Sequence, residues 1–148
     1  MKRRLLLSAV LAIFLSPPEA TRAELTFIAH YVEGDAYLDI VISDEGGEKQ
    51  ALLGISQKTA ILFTKNKWSN FVAAWAQAKL AKTDEYEVID YFSQGEPPNN
   101  SMLIIGAGPA VRFTIVSKAV IHLFIIRPKD YSKFDVDIGK VSALLGSN

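Results

Sequence analysis

Lys67-Trp68-Ser69-Asn70-Phe71-Val72-Ala73-Ala74-Trp75-Ala76-Gln77-Ala78 is the stretch that decides the fold. Trp68, Phe71, Trp75 and Ala78 recur at the spacing of one helix face, whereas the apolar residues before this stretch alternate with period two. The spacing predicts a helix from about Lys67 to Lys82. Asn66 would be its N-cap, and Lys79 and Lys82 would sit at the negative end of its dipole. One apolar stripe means a helix that lies on a sheet rather than one enclosed by it. The aromatic residues of the stripe therefore read as core, not as a stacking platform for bases or sugars.

Upstream, four short segments read as strands: Leu25–Val32, Tyr37–Ile42, Ala51–Ile55 and Thr59–Thr64. β-Branched and aromatic residues fill them, and Glu33-Gly34-Asp35 and Asp44-Glu45-Gly46-Gly47 supply turns between them. In Tyr37–Ile42 the alternation puts Tyr37, Asp39 and Val41 on one face and Leu38, Ile40 and Ile42 on the other. Downstream the pattern starts again with strands Glu85–Ser93, Met102–Ile105, Val111–Val116 and Ala119–Ile126. Gln94–Asn100, with its two prolines, is a loop. From about Ser132 the stripe Phe134, Ile138, Val141, Leu145 predicts a second helix, weakened by Gly139.

The chain thus reads as strand-strand-strand-strand-helix, twice, in half-repeats 24–82 and 83–148. Lys67–Phe71 lines up with Asp130–Phe134 at an offset of 63, and Leu62-Phe63 with Leu123-Phe124 at 61. A two-residue insertion between strand and helix would reconcile the two offsets. The fold class expected is α+β: antiparallel sheets with two helices in a single domain, 24–148. This order of elements is similar to that of Whirly-type single-stranded-DNA-binding folds. The similarity is one of layout, without the family's motif residues, and implies at most a nucleic-acid-binding alternative.

The 148 residues balance 16 Lys+Arg against 16 Asp+Glu and include no cysteine. Disulfides, thiolate zinc sites and cysteine nucleophiles are thereby excluded. The even balance conceals a basic start, Lys2-Arg3-Arg4, followed by the apolar run Leu5–Leu15 and small residues at Thr21 and Ala23. This is the layout of a secretory signal peptide, residues 1–23, cleaved after Ala23. The run is shorter than the roughly 20 residues a membrane span needs. Removing it leaves 12 basic and 15 acidic residues, a net charge of −3. The expected product is an exported protein, periplasmic or secreted, with no stable membrane span.

Ile104-Ile105-Gly106-Ala107-Gly108-Pro109-Ala110 imitates a dinucleotide-binding glycine loop. Val111 occupies the third glycine position, and strand-like residues follow where a helix is required, so it reads as strand–turn–strand with no cofactor. The histidines, His30 and His122, each lie in an apolar strand with no nucleophile elbow and no metal-ligand spacing. Catalytic, cofactor and metal residues are accordingly assigned to none. His30, Tyr37 and His122 are the surface candidates, and Tyr31, Tyr86 and Tyr91 share the tyrosine preference for protein contacts. The acidic groups at Glu33/Asp35, Asp44/Glu45/Glu48 and Asp84/Glu85/Glu87 read as solvated turns. Asp135 and Asp137 are expected to face solvent. These features point to a non-enzymatic binding module with a protein partner. A small hydrolase using carboxylates and a histidine is the alternative, and the acidic charge disfavours nucleic acid.

Overall fold

The computed structural model describes residues 23–146, so the expected leader lies outside the described residues except for Ala23. Two antiparallel four-stranded sheets run in chain order. The first joins β1 (Glu24–Glu33), β2 (Ala36–Glu45), β3 (Glu48–Ile55) and β4 (Thr59–Phe63). The second joins β5 (Glu87–Gln94), β6 (Ser101–Ala107), β7 (Val111–Ser117) and β8 (Val120–Ile126). Helix α1 (Lys65–Leu80) follows the first sheet; a 3-10 turn (Pro128–Asp130) and helix α2 (Tyr131–Gly146) follow the second. The architecture is α+β, with the strand-strand-strand-strand-helix pattern present twice.

Local chemistry sets the boundaries. The N-cap of α1 is Thr64, not Asn66: Thr64 keeps the extended backbone of the strand it leaves, and its hydroxyl accepts from the Lys67 amide. Asn66 instead lies inside the first turn. Gly34, with φ near +59°, opens a two-residue turn that pairs Glu33 with Ala36. Glycine at the first turn position meets the positive-φ requirement of a tight hairpin. Ala119, expected to begin the last strand, adopts positive φ with Lys118 in the β7–β8 turn, and β8 starts at Val120.

The repeat is carried by sheet geometry more than by sequence. Both first strands have a register break at the same place, between Phe27 and Ala29 in β1 and between Val88 and Asp90 in β5. Matched on these breaks, His30 corresponds to Tyr91 and Asp39 to Ile104. Following the ladders across places Leu62 opposite Leu52 and Ile125 opposite Arg112, so Leu62 corresponds to Ile125, not to Leu123. The expected insertion between strand and helix is absent: with Leu62 matched to Ile125 the offset is already 63, and one residue leads from β4 into α1 and one from β8 into the 3-10 turn that opens α2. The length differences lie in the hairpins instead, where the chain can vary without disturbing the ladder.

One hydrophobic core serves both halves. Helix α1 touches β5, β6 and β7 of the second sheet as well as β3 and β4 of its own, while α2 lies across β1 and β3 of the first. Phe71 and Trp75 of α1 meet Phe113 of β7 at ring-centroid distances of 5.8 and 6.2 Å, and Phe134 of α2 meets Tyr31 of β1 at 5.5 Å. Trp75 and Phe134, at 4.4 Å, close the seam between the helices. The two buried indoles keep hydrogen-bond partners, as buried tryptophans require: Trp68 Nε1 donates to Ser142 Oγ at 3.1 Å, and Trp75 Nε1 to Asp135 Oδ1 at 2.7 Å. The helices therefore cover the inner faces of the sheets and leave the outer faces to other fates.

Candidate functional site

On β2 the alternation falls as expected: Leu38, Ile40 and Ile42 enter the main core, and Tyr37, Asp39 and Val41 take the outer face. The hairpin register sets His30 opposite Asp39, and Asp39 opposite Gly54 on β3 and, through it, Ala60 on β4. His30 Nδ1 lies 2.6 Å from Asp39 Oδ1. The histidine is half-exposed, whereas only 2% of Asp39 reaches solvent. Asp39 Oδ2 is buried and, among the described residues, has no hydrogen-bond partner.

Burial pushes the Asp39 carboxyl above the usual carboxylate range, and the hydrogen bond and charge of His30 oppose that shift without cancelling it. With Asp39 ionised, Nδ1 carries the shared hydrogen and the ring's Nε2 remains to meet a partner. The Tyr37 ring stands 5.6 Å from the His30 ring. Gly54 contributes no side chain to this rung: a Cβ there would meet, among the described residues, only Thr59 O at 3.5 Å and the Ala60 methyl at 3.6 Å. Next to the pair lies a small apolar cluster in which Val41 and Leu52 are packed by Leu25, Phe27, Tyr37, Ala60 and Leu62. The site thus combines a buried acceptor, a half-exposed histidine and an apolar border on a sheet face opposite the helices.

The other expected residues separate from it. His122 lies on β8, an edge strand of the second sheet, opposite Ile115, and among the described residues no carboxylate is hydrogen-bonded to it. Tyr91 is exposed, as expected of a surface tyrosine, and Tyr86 lies half-buried beneath the Arg112 guanidinium, 4.4 Å from its ring centre. Tyr31 is a correction: it is buried, and its hydroxyl donates to Asp137. Asp137 is the matching correction. It faces β1 from α2, only 5% exposed, because the buried phenol needs an acceptor there. Asp135 is not a free solvent-facing carboxylate either, since it accepts from Trp75 and from Lys79 at 2.8 Å. Burial works to raise its pKa, but the Lys79 and Trp75 hydrogen bonds hold it below the usual range.

The glycine loop is a strand–turn–strand. Gly106 and Ala107 end β6, and a Cβ on Gly108 would come within 3.0 Å of the Tyr86 ring. Asp44 accepts from the Gly47 amide at 3.0 Å, as a turn carboxylate does. Among the described residues no group of three His, Asp or Glu side chains is placed to hold a metal ion.

Asp39 is the site residue that pattern reading missed as a candidate. The signal was present: a two-residue turn at Gly34-Asp35 pairs 33 with 36, and counting outward pairs 30 with 39. No known family model matches the chain, and no curated protein is detectably similar to it.

Proposed function

We propose that the chain is an exported, non-enzymatic binding module that holds a protein partner on the outer face of its first sheet. The observation that carries this reading is the His30–Asp39 pair: a buried carboxylate, one oxygen of which has no hydrogen-bond partner among the described residues, beside a half-exposed histidine and an apolar border. That oxygen is closed to solvent, so the partner meets the half-exposed His30 ring, which Asp39 orients through its hydrogen bond. Tyr37 adds an aromatic contact of the kind favoured at protein interfaces. Export rests on the leader pattern of residues 1–23. The acidic excess after Ala23 weighs against nucleic acid, whose phosphates call for a basic surface.

The test uses a photo-reactive residue at Val32, exposed on the same face as His30, in the full chain expressed with its leader. N-terminal sequencing of the extracytoplasmic protein should begin at Glu24. Cross-linking from position 32 should yield one defined adduct that Asp39→Asn abolishes. A cytoplasmic, uncleaved chain sinks the export reading; an adduct indifferent to Asp39→Asn sinks the site.

A hydrolytic reading has one observation in its favour, the carboxylate that orients His30. It requires an activity lost in His30→Ala and kept in His122→Ala.

A further inference from the structure

A second surface, independent of the first-sheet reading, lies where α1 passes beside β5. Among the described strands β5 ends its sheet, so one side of its backbone pairs with β6 and the other with no strand. In an antiparallel ladder each residue turns its N–H and C=O to the same side, and successive residues alternate. The Tyr91 N–H is held by its neighbour Asp90 at 2.8 Å, and the Ser93 carbonyl is approached by the Lys67 ammonium at 3.4 Å. Tyr91 and Ser93, two residues apart, therefore both turn their backbone groups away from β6.

Those groups border a groove of about 420 Å³ between α1 and β5, with Asn70, Ala73 and Gln77 on the helix side. The register break after Val88 and the loop beyond Gln94 limit the usable edge to Asp90–Gln94, about 16 Å at roughly 3.3 Å per residue.

We propose that this groove takes an extended polypeptide segment, added as a further strand to the edge of β5. Main chain is the ligand chemistry that matches two outward N–H/C=O pairs spaced two residues apart. At present the Tyr91 N–H and the Ser93 carbonyl are served by side chains that an incoming strand can displace. A second copy of this chain does not fit as the donor through its own β5, because its α1 would flank that strand in the same way. The charges at the two ends, Asp90 beside Tyr91 and Lys67 beside Ser93, select the direction and composition of the segment: a basic residue at the Asp90 end, an acidic one at the Lys67 end. Between them the small Ala73 and the amides of Asn70 and Gln77 suit threonine, serine or valine.

The probe is a blocked seven-residue peptide of alternating valine and threonine with lysine at one end and glutamate at the other, together with its reversed sequence. It is titrated into the protein while backbone amides are followed by NMR. One of the two directions should shift the Tyr91 and Ser93 amides and slow their exchange. N-methylation of the peptide amides that face β5 should weaken binding about tenfold or more, and N-methylation of the alternate amides only slightly. The protein is unchanged throughout, so misfolding cannot mimic the result. The proposal is overturned by unshifted Tyr91 and Ser93 amides at millimolar peptide, by shifts centred on the outer face around His30, or by indifference to the N-methylation pattern.

Discussion

The two sheets share strand order, the position of the register break in the first strand and the helix that follows, yet their outer faces differ, and one rung bears on binding. The first sheet carries His30, Asp39 and Gly54 where the second carries Tyr91, Ile104 and Thr114. The scaffold alone therefore does not require the polar pair, because the second sheet builds the same rung from an aromatic, an aliphatic and a threonine. A buried carboxylate with one oxygen unpartnered among the described residues carries a cost that Ile104 does not, and such residues concentrate at functional sites.

The largest expected effect concerns what the two halves have in common. Trp75→Ala removes the ring that meets Phe113 of the second sheet and Phe134 of the other helix, and should cost about 3–5 kcal/mol. Urea unfolding followed by circular dichroism and by fluorescence should still give one coincident transition. Two separated transitions would break the comparison by making the halves independent domains.

A smaller effect follows from moving the pair. Ile104→Asp places a carboxylate at the matching rung without its histidine and should cost roughly 2–3 kcal/mol. Adding Tyr91→His should recover about 1 kcal/mol through the cross-strand hydrogen bond. Equal urea midpoints for the single and double variants would show that the rungs are not equivalent.

The smallest effects are pH slopes, and they have opposite signs. The folded pKa of Asp39 is raised above its unfolded value, so its contribution to stability is greatest when protonated and is lost as pH rises through that folded pKa. The wild type should therefore gain on Asp39→Asn as pH falls toward about 4, the ordinary aspartate value. The folded pKa of Asp135 is depressed, so its contribution is present above about 4 and lost as pH falls through the lower folded value. Asp135 is largely solvent-screened, and its slope should be worth no more than about 1 kcal/mol. Thermal unfolding across this range reads both, and slopes of the same sign would contradict the assignments.

The fold was legible wherever periodicity carried it. Alternation on β2 placed Leu38, Ile40 and Ile42 inward, and the stripe Trp68, Phe71, Trp75, Ala78 placed α1 on a sheet. Periodicity does not say which sheet, and the reach of each helix to the other repeat depends on contacts distant in sequence. Tyr31 and Asp137 escape pattern reading for the same reason: 106 residues apart, each is polar in isolation, and only the fold brings the phenol and its acceptor together in the core. The candidate site was half legible. His30 and Tyr37 stood out by residue type. Asp39 became visible only once the Gly34-Asp35 turn set the register, since a one-residue slip would send it to the other face.

The partner cross-linked from position 32 is held by the outer-face rung of the first sheet and not by the matching outer face of the second. The most direct measurement is the affinity of the partner cross-linked from position 32 for two variants, Asp39→Asn and Ile121→Ser, the latter an exposed change on the outer face of the second sheet. The account predicts a loss of about tenfold or more for Asp39→Asn and a near-unchanged Kd for Ile121→Ser. An unchanged Kd for Asp39→Asn beside a large loss for Ile121→Ser would contradict it.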